Sequence, residues 1–162
     1  TFARSIDRII PMDITITRIA ITKPEDMEHV AVEGETEKGK SKTTEMGRKA
    51  IVPYGLYRGF GFFNPAFAEK TGVDTEDLKL FWQALQNMWD IDRSASRGMM
   101  ALRGLYIFSH DDKLGNAHAH SLFDRLQIQL KEGIGSPRRF SDYEVSVDEA
   151  DMPDGITLTR LV

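Results

Sequence analysis

The sequence predicts an α+β domain built on an antiparallel sheet with helices on one face. Three observations predict it. Short β-branched or alternating segments recur from one end of the chain to the other, one long amphipathic helix interrupts them near the middle, and a glycine-broken aromatic strand, "YRGFGFF", precedes that helix. The chain has 162 residues, the size of one domain able to bury a core of its own.

The elements follow in order. "DITITRIAIT" places Ile14 and Ile16 on one face and Ile19 and Ile21 on the other, a change of phase that predicts a bulge or a strand covered on both sides. From Lys23 to Lys49 the sequence is highly charged and poor in large apolar residues, which predicts a long excursion or projecting hairpin rather than a packed element. Strand character returns from Ile51 to Phe63. "NPAFAEKTG" then spells a short helix, with Asn64 as cap, Pro65 in the first turn and Gly72 as stop. Asp74 caps the longer helix, whose Leu78, Phe81, Trp82, Leu85, Met88 and Trp89 recur at helical spacing and whose end is expected near Gly98. At that spacing Trp82 and Trp89 are core residues rather than the lining of a ligand pocket.

"MALRGLYIFSH" is a strand apolar on both faces. A short helix capped by Asn116 is expected next. "RLQIQLK" alternates like a strand, with a continued helix as the other reading. "DYEVSV" and "GITLTRL" are expected to close the fold as a hairpin turning at Pro153 and Gly155. In "YRGFGFF", alternation sets Arg58, Phe60 and Phe62 on one face. A basic residue, glycine and aromatics on one strand open the signature of the RNA recognition motif, which fails here at Asn64 and Pro65. Strand, long helix and strand around it match the second half of the ferredoxin-like pattern in which that signature sits on the third strand. The first half is missing. The fold expected is therefore RNA-recognition-motif-like, with its N-terminal part absent.

Composition limits the chemistry. Lys and Arg number 21 against 25 Asp and Glu, a net charge of −4, so any nucleic-acid site must be a local basic patch. The richest such stretch runs from Arg93 to Tyr106, with Arg93, Arg97 and Arg103 and no acid. With no cysteine, disulfides, thiolate catalysis and Cys-ligated zinc are excluded, and a reducing, cytoplasmic location fits. No apolar run approaches the roughly 18 residues of a membrane span. The chain begins without Met, directly in strand-like sequence, and reads as a piece of something longer.

Two further clusters bear on function. His110, Asp111 and Asp112, with His118 and His120 nearby, are residue types that ligate a nuclease metal, but two histidines two apart on a helix point to different faces. "HDDKLGN" is more simply a solvated turn. Arg138 and Arg139 belong to a loop broken by Pro137, and Glu144 to Asp154 form an acidic exposed stretch.

Several ordered stretches, "TFARSID", "DITITRIAIT", "MGRK" leading to "VPYGLYR", "LFWQALQNMWDIDRSASRG", "RGLYIFSHDDKLGNAHAHSLFDRL" and "FSDYEVSV", resemble the C-terminal half of the Cascade backbone subunit of type I-C CRISPR systems, the Cas-seven family in its Csd-two form. The resemblance covers nearly the whole chain. It implies one palm domain over residues 1–162 and a thumb-like hairpin over residues 23–50 that projects across the guide. It also implies a non-catalytic subunit that holds CRISPR RNA without reading its sequence, stacks with its own copies and other Cascade subunits, and reaches target DNA through the guide. No membrane and no cofactor are expected, nor is a metal. The residues expected to hold RNA are Arg4, Arg18, Arg58, Arg97 and Arg103 along the sheet, Met46 as an apolar wedge, and Arg48 and Lys49 on the backbone. Phe60 is a further candidate by stacking, with core or subunit packing as its other reading. The alternative function is a metal-dependent ribonuclease that processes CRISPR RNA through His110 and Asp111.

Overall fold

The computed structural model describes residues 2–19, 44–93 and 98–162. Its elements are β1 (Phe2–Ser5), β2 (Met12–Ile19), β3 (Thr44–Ile51), β4 (Tyr57–Phe60), α1 (Pro65–Thr71), α2 (Thr75–Ile91), β5 (Tyr106–His110), α3 (Ala119–Phe123), β6 (Leu126–Leu130), β7 (Tyr143–Val147) and β8 (Ile156–Arg160). A 3-10 turn at Phe140–Asp142 leads into β7. This is an α+β architecture of small antiparallel sheets and few helices, compatible with the ferredoxin-like class expected. The described strands pair two by two, β1 with β4, β2 with β3, β5 with β8 and β6 with β7. The chain forms two compact units, residues 7–55 and residues 1–6 with 56–162.

In the larger unit, main-chain bonds lengthen each ladder beyond its strands. Ile6 donates to the Leu56 carbonyl at 2.9 Å, Leu161 to Leu105 at 3.0 Å and Lys131 to Asp142 at 2.9 Å. Leu56, Leu122 and Tyr143 are its buried hydrophobic residues among those described. The helices start where the side chains dictate. Asn64 Oδ1 accepts from the Ala66 amide at 2.9 Å, and Gly72, at φ 76, closes α1 in a left-handed conformation that glycine adopts without strain. Asp74 accepts from the amides of Glu76 and Asp77 while the Asp77 carboxylate accepts from the Asp74 amide, a reciprocal cap that fixes the first turn of α2. Leu78, Trp82, Leu85 and Trp89 form the half-buried stripe of α2, whereas Phe81 and Met88 are exposed.

Several expectations are corrected. β7 and β8 do not form a hairpin: β7 pairs with β6 and β8 with β5. The link between them is tied elsewhere, because the Arg125 guanidinium donates to the carbonyls of Asp148, Ala150 and Asp151 at 3.2, 2.7 and 2.9 Å. β2 carries no bulge from Met12 to Ile19; its eight residues face eight on β3 one to one, and the chain from 12 to 17 is exposed rather than covered on both sides. The strand β3 begins at Thr44, inside the stretch expected as an excursion or projecting hairpin, and pairs antiparallel with β2. α2 ends at Ile91, where the extended Asp92 donates its amide to the Met88 carbonyl, short of the expected Gly98. "RLQIQLK" is a strand rather than a continued helix. The cap of α3 is His118, without a side-chain bond, and not Asn116.

Asn116 instead organises the turn before it. Its side-chain oxygen accepts from the Asp112 amide at 3.0 Å, and its own amide donates to His110 Nδ1 at 2.9 Å. Asp112 Oδ1 accepts from the Leu114 amide at 2.7 Å, and Gly155, at φ 75, lies so close beneath Asn116 that any Cβ there would meet its side-chain amide.

Candidate nucleic-acid interface

The β1–β4 ladder carries the candidate with the most definite geometry. Its register sets Arg4 opposite Arg58, Ser5 opposite Tyr57 and Ala3 opposite Gly59. Residues directly opposite in an antiparallel pair lie on the same face, so two guanidinium-bearing positions face each other there. Like charges so placed repel and favour an anion that joins them. Arg4 is exposed.

Arg58 is held more firmly. Its Nη2 donates to the Phe123 carbonyl at the end of α3, and its guanidinium lies 4.7 Å from the Phe60 ring centroid. The Phe123 ring stands 4.8 Å from Phe60 and 5.5 Å from Phe62. Burial pushes the guanidinium below its ordinary value, and the Asp124 carboxylate opposes that shift. Alternation thus sets Arg58 and Phe60 on one side of β4, as the sequence predicts, while Phe62 lies two residues past the end of the strand and still meets the Phe123 ring. That side meets Phe123, so the Phe60 ring is engaged in packing.

Arg103 lies apart from that ladder, in the segment before β5. Its guanidinium carbon is 5.6 Å from the ring centroid of Phe140, and among the described residues it makes no ion pair. Arg138 and Arg139 immediately precede that ring in sequence. Asp142 accepts from the amides of both at 2.8 and 3.2 Å and from Arg139 Nε at 3.2 Å. These bonds, the Arg138 amide first, hold its carboxyl below the ordinary carboxylate range. Arg138 Nη1 donates to the neutral oxygens of Ser136 and Pro137 at 2.8 and 3.1 Å.

In the smaller unit, Met46, Arg48 and Lys49 sit on β3 opposite Thr17, Thr15 and Ile14. All three are exposed, Met46 at 76%. Alternation puts Met46 and Arg48 on one face of the hairpin and Lys49 on the other. Arg18 occupies the β2 position opposite Glu45. Arg97 lies outside the described residues, as does the excursion from 23 to 43. The structure therefore joins Arg4, Arg58 and Phe60 on one ladder, sets Met46, Arg48 and Lys49 on another, and leaves Arg103 with a different set of partners.

His110 has Nδ1 engaged with the Asn116 amide. The rings of His118 and His120 stack 5.7 Å apart at 18°, which corrects the expectation that they diverge: His118 precedes the helix, and its extended backbone swings the ring alongside. Among the described residues no three His, Asp or Glu side chains cluster closely enough to hold a metal. Among the same residues no helix is long and apolar enough to cross a membrane. Sequence reasoning missed Phe123, Phe140 and Arg125. Phe140 adjoins an Arg pair, a visible signal, but its partner Arg103 is far away in sequence, and nothing local marks the other two.

Comparison with known proteins gives one assignment. The family model for CRISPR-associated protein Cas7 matches residues 1–148 of the chain. No curated protein matches it significantly.

Proposed function

The chain belongs to the CRISPR-associated protein Cas7 family, and from that membership we propose that it is a non-catalytic, crRNA-binding backbone subunit of a Cascade-type complex. The family match over residues 1–148 carries this reading. In finer detail, the subunit is of type I-C, acts in the cytoplasm, polymerises along the guide with its own copies and other Cascade subunits, and leaves the bases open to pair with target DNA. Residues 1–162 act as the palm and residues 23–50 as a thumb crossing the guide.

Physical chemistry supports a grip that does not read bases. Such a subunit must hold phosphate and sugar and leave base edges untouched, which asks for guanidinium groups and amides rather than an amide-lined base pocket. The Arg4–Arg58 pair on one face of the β1–β4 ladder supplies two such groups in an acidic chain. Of the two, Arg4 is the one that reaches a phosphate, because Arg58 is fastened to Phe123. Met46 and Arg48, on one face of β3, suit an apolar wedge beside a phosphate contact.

Fluorescence anisotropy with labelled single-stranded RNAs of unrelated sequence tests the reading. Affinities are expected to agree across sequences, to fall steeply as salt rises, and to drop several-fold in Arg4→Ala. Divalent metal is expected to leave the RNA intact. Binding confined to one sequence, no binding at all, or metal-dependent cutting that disappears in His110→Ala would overturn it.

A further inference from the structure

We propose that Arg103, Phe140, Arg138 and Arg139 form a second phosphodiester-binding site, apart from the β1–β4 ladder. The proposal rests on the reading of the chain as a nucleic-acid-binding subunit and adds to it a place where a second stretch of backbone is held.

A guanidinium laid over an aromatic face is positioned by the ring quadrupole while its N–H edges stay available, whereas one paired with a carboxylate has both charge and donors engaged. Arg103 is of the first kind. It is exposed, its carbon is 5.6 Å from the Phe140 centroid, and it makes no ion pair among the described residues. Phe140 is half-buried at the head of the 3-10 turn, so its ring is a fixed support.

The turn that carries the ring adds charge of the same sign. Arg138 is steered by Ser136 and Pro137, both neutral acceptors, so its charge is not cancelled. Arg139 shares Asp142 with two main-chain amides, and its side chain is 79% exposed. Three Arg side chains are thus tied to this turn, one through the Phe140 ring and two through adjacent sequence, and Asp142 is the one carboxylate bonded to any of them among the described residues. Such local positive charge in a chain of net charge −4 is what would attract an anion to this turn rather than to the surface at large. Planar forks that carry donors along an edge match the paired oxygens of a phosphodiester. Pro137, buried, and the bonds of Asp142 hold the turn in place without any ligand, so little ordering accompanies binding.

A phosphodiester can come from the guide RNA or from a target DNA strand, and the test separates them. Arg103→Ala, Arg138→Gln and Phe140→Leu are compared with the parent chain on single-stranded RNA and single-stranded DNA of one sequence, across a salt series. Phe140→Leu keeps every charge and removes the support. On the strand that uses the site, Arg103→Ala is expected to weaken binding about three- to ten-fold near physiological salt and to reduce the slope of log K against log salt by about 0.7. Phe140→Leu is expected to weaken binding without changing that slope. Loss on the RNA arm assigns the site to the guide, and loss on the DNA arm to the target. If the parent binds RNA and Arg4→Ala weakens it while the three variants match the parent on both strands, the second site is refuted and the subunit reading stands. If the parent binds neither strand, both fall.

Discussion

Replacing Arg58 by Gln separates a residue that fastens the fold from one that merely waits for RNA. The bond from its guanidinium to the Phe123 carbonyl is charge-assisted, a kind of bond that contributes about 1.5–3 kcal/mol to stability. Its contact with the Phe60 ring adds about 0.5–1 kcal/mol. Against these stands relief of repulsion with Arg4 across the ladder, a few tenths of a kcal/mol to about 1. The net expectation is a loss of about 2 kcal/mol. With a urea dependence of about 1–3 kcal/mol per molar, the midpoint should fall by about 1 M. Trp82 and Trp89 lie in the same unit as Arg58, so their fluorescence reports the transition directly. Arg4→Gln is the control: it relieves the same repulsion and breaks no bond to Phe123, so its midpoint should stay put or rise. An Arg58→Gln midpoint within about 0.3 M of the parent's, or an equal fall in Arg4→Gln, would refute the reasoning.

Other consequences are open to measurement. Leu122, 1% exposed, should lose about 2–5 kcal/mol when cut to Ala, seen as a lowered thermal midpoint. Gly155→Ala and Gly72→Ala both force a side chain to positive φ, at about 1–2 kcal/mol each, but a Cβ meets nothing within 4 Å at Gly72 and meets Asn116 at Gly155. Gly155→Ala should therefore be clearly the worse of the two in urea titrations. Asp142 has its folded-state value below its ordinary 3.8, so its contribution is complete at higher pH and is lost as the pH falls below 3.8 through the folded value. Thermal midpoints across that range should decline more steeply for the parent than for Asp142→Asn, and parallel curves would contradict the assignment.

What the sequence reveals and conceals here follows the range of the forces involved. α1 and α2 are legible because a cap acts within three residues, and Asn64, Gly72 and Asp74 announce their roles locally. β6 is legible by its alternation of Leu126, Ile128 and Leu130. Partners are not legible, since alternation marks a strand without naming its neighbour; hence two adjacent strands, β7 and β8, suggest a hairpin when each pairs with an earlier strand. The candidate site divides the same way. The shared side of Arg58 and Phe60 follows from period two, but Arg4 opposite Arg58 needs a register, and Arg103 over Phe140 needs tertiary packing.

The grip of Arg125 on the link between β7 and β8 has a consequence for what that link can become. It seizes main-chain oxygens, which every amino acid possesses, so the bonds themselves make no demand on the side chains at positions 148, 150 and 151. Position 150 can therefore be rewritten while the path of the loop persists, whereas Asp151, at φ 49, holds a left-handed conformation that Gly, Asn and Asp take most readily, and Glu149 is paired with Arg160.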